Sequence, residues 1–200
     1  MKKLIISFVI LAVSISLAYS QNINPSYRYV AAPGYVNVTE LTGAIAINDT
    51  IGEYLAGQVY SDYYFGITNI FGYQINRNFF GGLGVGLLMY GSDPLIPVFL
   101  EYKYSAYLRR ITPFVYADGG IGLAPVNLKD DTKIFINPGI GISVPFSTKM
   151  EVNFSAGLMV QSRSTLTRLA YMNFRIGITY RKNAFRLFKP EKKFMGDYYQ

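Results

Sequence analysis

The 200-residue sequence contains no cysteine and no histidine. Without cysteine the chain can form no disulfide, and no lipid-modified cysteine can follow an N-terminal leader. Without histidine it lacks the residue that most often serves as a general base. The carboxylate pair Asp130-Asp131 lacks the ligand spacing of a calcium loop, and such pairs in polar loops are usually solvated surface. The sequence therefore predicts a protein that is not an enzyme and has no cofactor and no metal site.

Long hydrophobic runs are missing after the first twenty residues, although 50% of the chain is hydrophobic. Residues 1–20 have a positively charged start, then an apolar stretch, then small residues at Ala18 and Ser20. This pattern predicts a signal peptide that is cleaved before Gln21 and exports the chain. The remaining sequence has no apolar run long enough for a transmembrane helix, which excludes a helical membrane protein.

The net charge of +7 lies mostly at the two ends of the chain. Lys2 and Lys3 account for two charges, and residues 181–200 carry six basic against two acidic residues, which leaves about +1 for residues 21–180. A nucleic-acid-binding protein is expected to carry basic charge on a folded face, so no nucleic-acid partner is predicted. The basic and phenylalanine-containing tail has two open interpretations. It binds the inner leaflet or a periplasmic partner, or it is a disordered extension.

The apolar residues that remain are arranged in alternation with polar residues and glycine. Successive side chains of a strand point to opposite faces, so each alternating segment has one apolar face and one polar or glycine face. Segments of about ten residues match a strand tilted through a bilayer. Eight such strands are predicted, near residues 35–48, 63–75, 79–90, 95–107, 112–124, 133–146, 149–161 and 168–180.

The predicted connections alternate between tight basic turns and mostly longer or acidic loops. Short periplasmic turns and longer external loops, with both chain ends in the periplasm, are the expected pattern of an outer-membrane β-barrel. Aromatic residues near the strand ends are predicted to form interfacial girdles. The periplasmic girdle is predicted at Tyr73, Phe79, Tyr104, Tyr107, Phe114, Phe146 and Tyr180, and the external one at Tyr60, Tyr63, Tyr64, Phe65 and Tyr90.

Residues 35–180, with glycine-rich strands such as 81–86 and 138–142 and a last strand that ends at Tyr180, resemble the small eight-stranded outer-membrane barrels of the OmpA/OmpX/OmpW-like superfamily. The resemblance implies an all-β, eight-stranded antiparallel transmembrane up-and-down barrel in the outer membrane of a Gram-negative cell. It also implies that the barrel-insertion machinery reads the last strand through Phe174, Ile176, Ile178 and Tyr180. The chain continues for about 20 residues beyond this strand, which departs from the usual pattern. The predicted organisation is a signal peptide (1–20), a periplasmic lead-in (21–34), a barrel (35–181) and a basic periplasmic tail (182–200).

Six charged residues within the strands are predicted to point into the lumen. Opposite charges must meet there, because an unpaired buried charge is costly. One interpretation is a charged constriction in a pore, and the other is an ionic plug, since eight strands enclose little more than their own side chains. Lumenal glycines in the second, third and sixth strands leave space, so passage of a small ligand is a further open interpretation. The six residues are Glu40, Glu101, Lys103, Asp118, Glu151 and Arg175.

These expectations favour an outer-membrane barrel with a structural role, or one that passes small solutes narrowly. Its partners would be outer-membrane lipid and the insertion machinery. One alternative is a barrel that binds a partner or a surface through its external loops and its tail. The longest of these loops is 49–62. Another is a soluble periplasmic lipocalin-like barrel, which would need bulky apolar residues inside and polar residues outside.

Overall fold

The computed structural model describes residues 28–47, 62–108, 111–125, 132–162, 168–183 and 186–188. Among these residues there is no helix with the length and apolar character needed to cross a membrane. The secondary structure consists of strands: β1 Arg28–Val30, β2 Gly34–Ala46, β3 Tyr63–Gln74, β4 Phe79–Tyr90, β5 Asp93–Ser105, β6 Thr112–Leu123, β7 Lys133–Pro145, β8 Met150–Ser162, β9 Arg168–Arg181 and β10 Arg186–Phe188.

Strands β2 to β9 form a closed barrel in which each strand pairs antiparallel with its neighbours in the sequence. The barrel closes where β2 pairs with β9, so the first and last barrel strands lie side by side. Each of these eight strands begins and ends within two residues of its predicted limits. The prediction of an eight-stranded antiparallel barrel is confirmed.

The barrel has two distinct ends, which we name by their connections. The turn end holds the tight turns at 75–78 and 146–149 and the connection between β5 and β6, together with the start of β2 and the end of β9. The loop end holds the other connections, at 47–62, 91–92, 124–132 and 163–167.

A second, two-stranded sheet lies outside the barrel. Strand β1 pairs antiparallel with β10, with Arg28 opposite Phe188 and Val30 opposite Arg186. Beside it, the amide of Asn183 donates a hydrogen bond to the carbonyl oxygen of Pro33 at 2.6 Å. The sequence predicts no pairing for either segment. The predicted signal peptide and the tail beyond residue 188 lie outside the described residues.

The two faces of the barrel wall differ as the alternation predicts. Its outer face is apolar, and many large hydrophobic side chains there are about half exposed, up to 66% at Ile140. The inner face carries the buried polar and charged side chains together with a buried apolar cluster. Strand parity places successive residues on opposite faces, so the outward residues form a largely apolar surface around the barrel. Its polar interruption among the described strands is at Asn37, Thr39 and Asn69, whose side chains hydrogen-bond to one another on the outer face of β2 and β3.

Four aromatic residues assigned to the girdles are not exposed on the outer face. Tyr64 and Tyr90 are buried in the lumen near the loop end, Phe114 is buried near the turn end, and the hydroxyl of Tyr107 is buried at the turn end. Tyr64 directly precedes Phe65, and two adjacent residues of a strand cannot both face outward. The girdle prediction was therefore wrong for these four residues, whereas Tyr73, Phe79, Tyr104, Phe146 and Tyr180 are exposed at the turn end. Tyr60 lies outside the described residues.

Candidate functional site: the barrel lumen

The centre of the lumen contains a cluster of five charged side chains from four strands, which we call the central ionic network. Arg175 of β9 lies between carboxylates that come from three other strands. Its Nη1 is 3.1 Å from Glu40 Oε2 and 3.8 Å from Glu101 Oε2, and its Nη2 is 2.5 Å from Asp118 Oδ2. Lys103 Nζ completes the network at 3.1 Å from Glu101 Oε1.

Strand register brings these residues to the same height. Glu101 on β5 pairs directly with Asp118 on β6. Glu40 pairs with Gly177, and a Cβ atom on Gly177 would lie 2.7 Å from Glu40 Cγ, so glycine is what leaves room for this carboxylate. The network therefore follows from strand pairing rather than from proximity in the sequence.

Neutral side chains extend the network across the lumen. Asn137 donates to Asp118 Oδ2 at 3.1 Å and accepts a hydrogen bond from Asn173 at 2.8 Å. The Tyr116 ring lies 4.9 Å from the guanidinium carbon of Arg175. Burial of charges is costly unless each is paired and hydrogen-bonded, and these amides and the ring supply part of that compensation.

A second ionic group lies nearer the turn end, around Arg181. Its Nη2 donates to Glu151 Oε1 at 2.6 Å and its Nη1 donates to Gln74 Oε1 at 2.7 Å. A chain of hydrogen bonds runs beside it from Ser143 to Asn153 at 2.7 Å and from Asn153 to Thr179 at 2.6 Å.

Tyr107 lies in a turn at the same end, outside the strands. Burial raises the pKa of the Tyr107 phenol to about 12, so it stays protonated at neutral pH. A protonated phenol adds no charge to this part of the lumen.

The loop end of the lumen is filled by aromatic and apolar side chains. The rings of Tyr64, Tyr90 and Tyr171 pack together, with centroids 4.8 to 5.8 Å apart. The hydroxyl of Tyr64 contacts the sulfur of Met159 at 3.0 Å, and Gln161 hydrogen-bonds to the hydroxyl of Tyr90. These five side chains form what we call the tyrosine cap.

The lumenal glycines of the described strands lie against neighbouring groups, so they do not add to the case for a small-ligand passage. A Cβ atom on Gly84 would lie 2.3 Å from the Phe99 ring, and one on Gly139 would lie 2.3 Å from the Tyr116 ring. Similarly close neighbours lie beside Gly66, Gly72, Gly82, Gly86 and Gly141. Each of these glycines accommodates a neighbouring side chain or backbone segment, so the space it vacates is already filled.

The structure places all six predicted lumenal charges inside the barrel. It brings five of them together in the central ionic network and places Glu151 in the separate group with Arg181. Arg181 was not predicted as a lumenal cation, because its charge was counted with the basic tail. Its position at the inward parity of β9, two residues after Thr179, was the signal that could have identified it.

Residues of the predicted insertion signal, Phe174, Ile176, Ile178 and Tyr180, lie on the outer face of β9 and are exposed. That the barrel-insertion machinery recognises these residues stays a prediction. Among the described residues, no group of three or more acidic side chains is arranged to hold a metal ion.

Comparison with known proteins shows similarity at the level of the fold. The sequence matches no protein-family model and none of the curated proteins. The solved structure of Neisserial surface protein A matches with a TM-score of 0.56 and 15% identity, over 76% of this chain and 99% of that one. The N-terminal β-barrel domain of Pseudomonas aeruginosa OprF matches with a TM-score of 0.46 and 14% identity, over 74% of this chain and 100% of that one. The attachment invasion locus protein Ail of Yersinia pestis matches with a TM-score of 0.45 and 10% identity, over 74% of this chain and 98% of that one. The first of these similarities shows that the chain shares the fold of a small eight-stranded barrel.

Proposed function

We propose that the protein is an integral outer-membrane barrel with a closed lumen and a structural or anchoring role. The observation that carries the proposal is the distribution of polarity across the barrel wall. Large apolar side chains cover the outside, and paired charges and amides lie inside. A soluble barrel requires the opposite arrangement on its outer face, because that face contacts water.

A bilayer satisfies the requirements of this surface. A closed barrel leaves no unpaired backbone edge, so it can enter hydrocarbon without unsatisfied peptide groups. Outward residues such as Leu83, Ile140 and Ile176 would then contact lipid chains rather than water. The predicted signal peptide supports export to the outer membrane of a Gram-negative cell, since barrels of this type occur there.

The filled lumen favours a structural or anchoring role over passage of small solutes. Three successive layers occupy it: the Arg181 group, the central ionic network and the tyrosine cap. Each layer is held by direct side-chain contacts from several strands. A solute could pass only after these contacts were broken. We therefore interpret the ionic network as a plug, and we assign no catalytic activity to the barrel.

Conductance and membrane insertion together test this proposal. The mature chain refolded into a planar bilayer is expected to show no discrete openings, while its heat-dependent gel migration shows that it is folded. Two variants test which layer blocks conductance. One carries both Tyr64→Ala and Tyr90→Ala, which removes two rings of the tyrosine cap, and the other carries Arg175→Ala, which removes the central cation of the ionic network. Regular openings of the unmodified protein would contradict the closed lumen, and failure to enter vesicles would contradict the outer-membrane assignment.

A further inference from the structure

Among the described residues, the fully exposed charged side chains of the barrel are separated by sign between its two ends, while Lys133 at the loop end is half-buried with its Nζ 5.1 Å from the centre of the Tyr90 ring. Arg77, Lys149 and Lys182 are exposed at the turn end, and we call these three residues the basic collar. The exposed carboxylates Asp62 and Asp93 lie at the loop end. Within the part of the chain that the structure describes, no carboxylate is exposed at the turn end, where Glu151 is buried against Arg181.

Backbone contacts make the collar continuous over part of the barrel circumference. The amide of Arg181 donates to the carbonyl oxygen of Lys149 at 2.8 Å, so Lys149 lies next to the end of β9. The amide of Lys182 donates to the carbonyl oxygen of Tyr35 at 3.0 Å, which links it to β2. Strand β2 then pairs with β3, whose tight turn to β4 carries Arg77.

A belt of exposed aromatic side chains lies directly beside the collar, on the hydrocarbon side. Lys182 follows Tyr180 by two residues, Arg77 precedes Phe79 by two, and Lys149 follows Phe146 by three. Aromatic rings are favoured at headgroup depth, and long basic side chains reach outward from there to phosphates. The belt consists of Tyr35, Tyr73, Phe79, Tyr104, Phe146 and Tyr180.

We propose that the basic collar binds the phosphate groups of anionic phospholipids in the leaflet at the turn end. The inference rests on the proposed membrane insertion. The basic residues follow the circumference at one depth and do not converge on a pocket, which suits a ring of lipid headgroups. Each lysine or arginine near an anionic surface strengthens binding by about fivefold.

Lipid selectivity near each end of the barrel tests the inference. The sequence has no tryptophan, so Phe146→Trp and Phe65→Trp provide single reporters at the turn end and the loop end. Each variant is refolded into vesicles that contain phosphatidylglycerol and phosphatidylcholine, with one or the other carrying brominated chains that quench tryptophan. The ratio of the two quenching efficiencies gives the local preference for the anionic lipid. We expect a preference of at least about threefold at the turn end and about one at the loop end.

Charge-neutral variants identify the residues responsible. In the Phe146→Trp background, the combination Arg77→Gln, Lys149→Gln and Lys182→Gln should bring the preference at least halfway towards one. The matched control, Asp62→Asn with Asp93→Asn, should leave it unchanged. High salt should also lower the preference for the anionic lipid, because salt screens exposed charges. This measurement leaves the collar residues unchanged, so it does not depend on whether the glutamine variant folds.

The two proposals fail in different ways. A preference of one at both ends, or a preference that neither the glutamine substitutions nor salt reduce, would overturn the lipid-binding collar while leaving membrane insertion intact. Tryptophan that neither brominated lipid quenches would overturn the membrane insertion itself, and the collar proposal with it.

Discussion

At the scale of single residues, the barrel interior depends most on the guanidinium of Arg175. It contacts carboxylates from three strands, and Lys103 is the only other cation in the network. Removal of one partner from a buried ionic group leaves uncompensated charge, which costs more than the pair contributes when intact. The side chain therefore offsets part of the negative charge of the lumen and connects the strands around it.

Arg175→Ala is expected to lower the free energy of unfolding by about 3 to 5 kcal/mol, because Glu40 and Asp118 lose their cation. Urea unfolding of the refolded protein in vesicles measures the change. Arg77→Ala is the matched control in vesicles of phosphatidylcholine alone, which offer the collar no anionic lipid, since Arg77 is exposed and its loss should there change the same quantity by about 0.5 kcal/mol or less. An Arg175→Ala variant that unfolds at the same urea concentration as the unmodified protein would refute the plug.

Asp118→Asn should be much milder than Arg175→Ala. The network contains three carboxylates against two cations, so removal of one negative charge balances it. The asparagine oxygen can still accept hydrogen bonds from Arg175 and Asn137. We expect a loss below about 1.5 kcal/mol in the same urea experiment. If this variant were as unstable as Arg175→Ala, charge balance would not be what holds the network together.

Residue identity and strand parity predicted the inward charges, because an acidic or basic residue inside an alternating strand has only one face where it can be paired. They did not predict contacts, which depend on register between strands distant in the sequence, such as Glu40 and Arg175. Arg181 was missed because its neighbours in the sequence are basic and because it stands at the limit of the alternation. The error at Tyr64 came from reading aromatic residues near a strand end as a group instead of by parity.

At the scale of strands, the lumen is packed by the pairing of glycine on one strand with a ring on the next. Gly84 of β4 is opposite Phe99 of β5, and Gly139 of β7 is opposite Tyr116 of β6. The absence of a side chain lets the ring lie against the backbone. Glycine in these strands is therefore a packing requirement.

Gly84→Ala is expected to destabilise the barrel by about 1 to 3 kcal/mol, because its Cβ would overlap the Phe99 ring. Gly119→Ala is the control, since nothing lies within 4 Å of a Cβ at that position. Thermal unfolding of the two variants compares them directly. The double variant Gly84→Ala with Phe99→Leu should lose less stability than the sum of its two single variants. Equal effects of the two alanine substitutions would contradict ring packing against glycine.

Ile140→Lys tests the outer face at the middle of β7. A lysine facing lipid near the bilayer centre costs about 2 to 4 kcal/mol, whereas one near the interface costs about 0 to 1 kcal/mol. Phe146→Lys, at the turn end, serves as the interfacial comparison. The free energy of unfolding measured in vesicles should therefore fall more for Ile140→Lys than for Phe146→Lys. A folded Ile140→Lys protein of unchanged stability and improved solubility without detergent would instead indicate a water-facing surface.

The strand limits could be predicted closely because an alternation of about twelve residues contains many repeats of the same two-residue signal. β1 and β10 could not, because three residues contain too little alternation to distinguish a strand from an extended lead-in. Their pairing also joins residues about 160 positions apart, and nothing local in the sequence specifies such a partner.

At the scale of the whole molecule, the barrel closes without any contribution from the small sheet. The pairing of β2 with β9 completes the ring, and β1 pairs only with β10. Barrel stability should therefore be largely independent of the C-terminal residues beyond the last barrel strand.

Deletion of residues 184–200 is expected to leave a folded barrel with its heat-dependent gel migration and to lower the free energy of unfolding by about 1 kcal/mol or less, since one short strand pair is lost. Deletion of residues 174–200 is the comparison, because it removes most of β9 and with it the closure against β2. Refolding yield and urea unfolding of the two truncated proteins measure the difference. A large loss from the shorter deletion would show that the small sheet supports the barrel.

The small sheet also has a mechanical consequence for the one barrel junction that has no connecting turn. The chain enters β2 from β1 and leaves β9 towards β10, and these two flanking strands are bonded to each other. A force that draws the chain termini apart acts first on the few hydrogen bonds between β1 and β10, at the pair Arg28 and Phe188. The pairing of β2 with β9 bears the force only after the hydrogen bonds between β1 and β10 have broken. The small sheet should therefore open first when the termini are pulled, and the barrel wall afterwards.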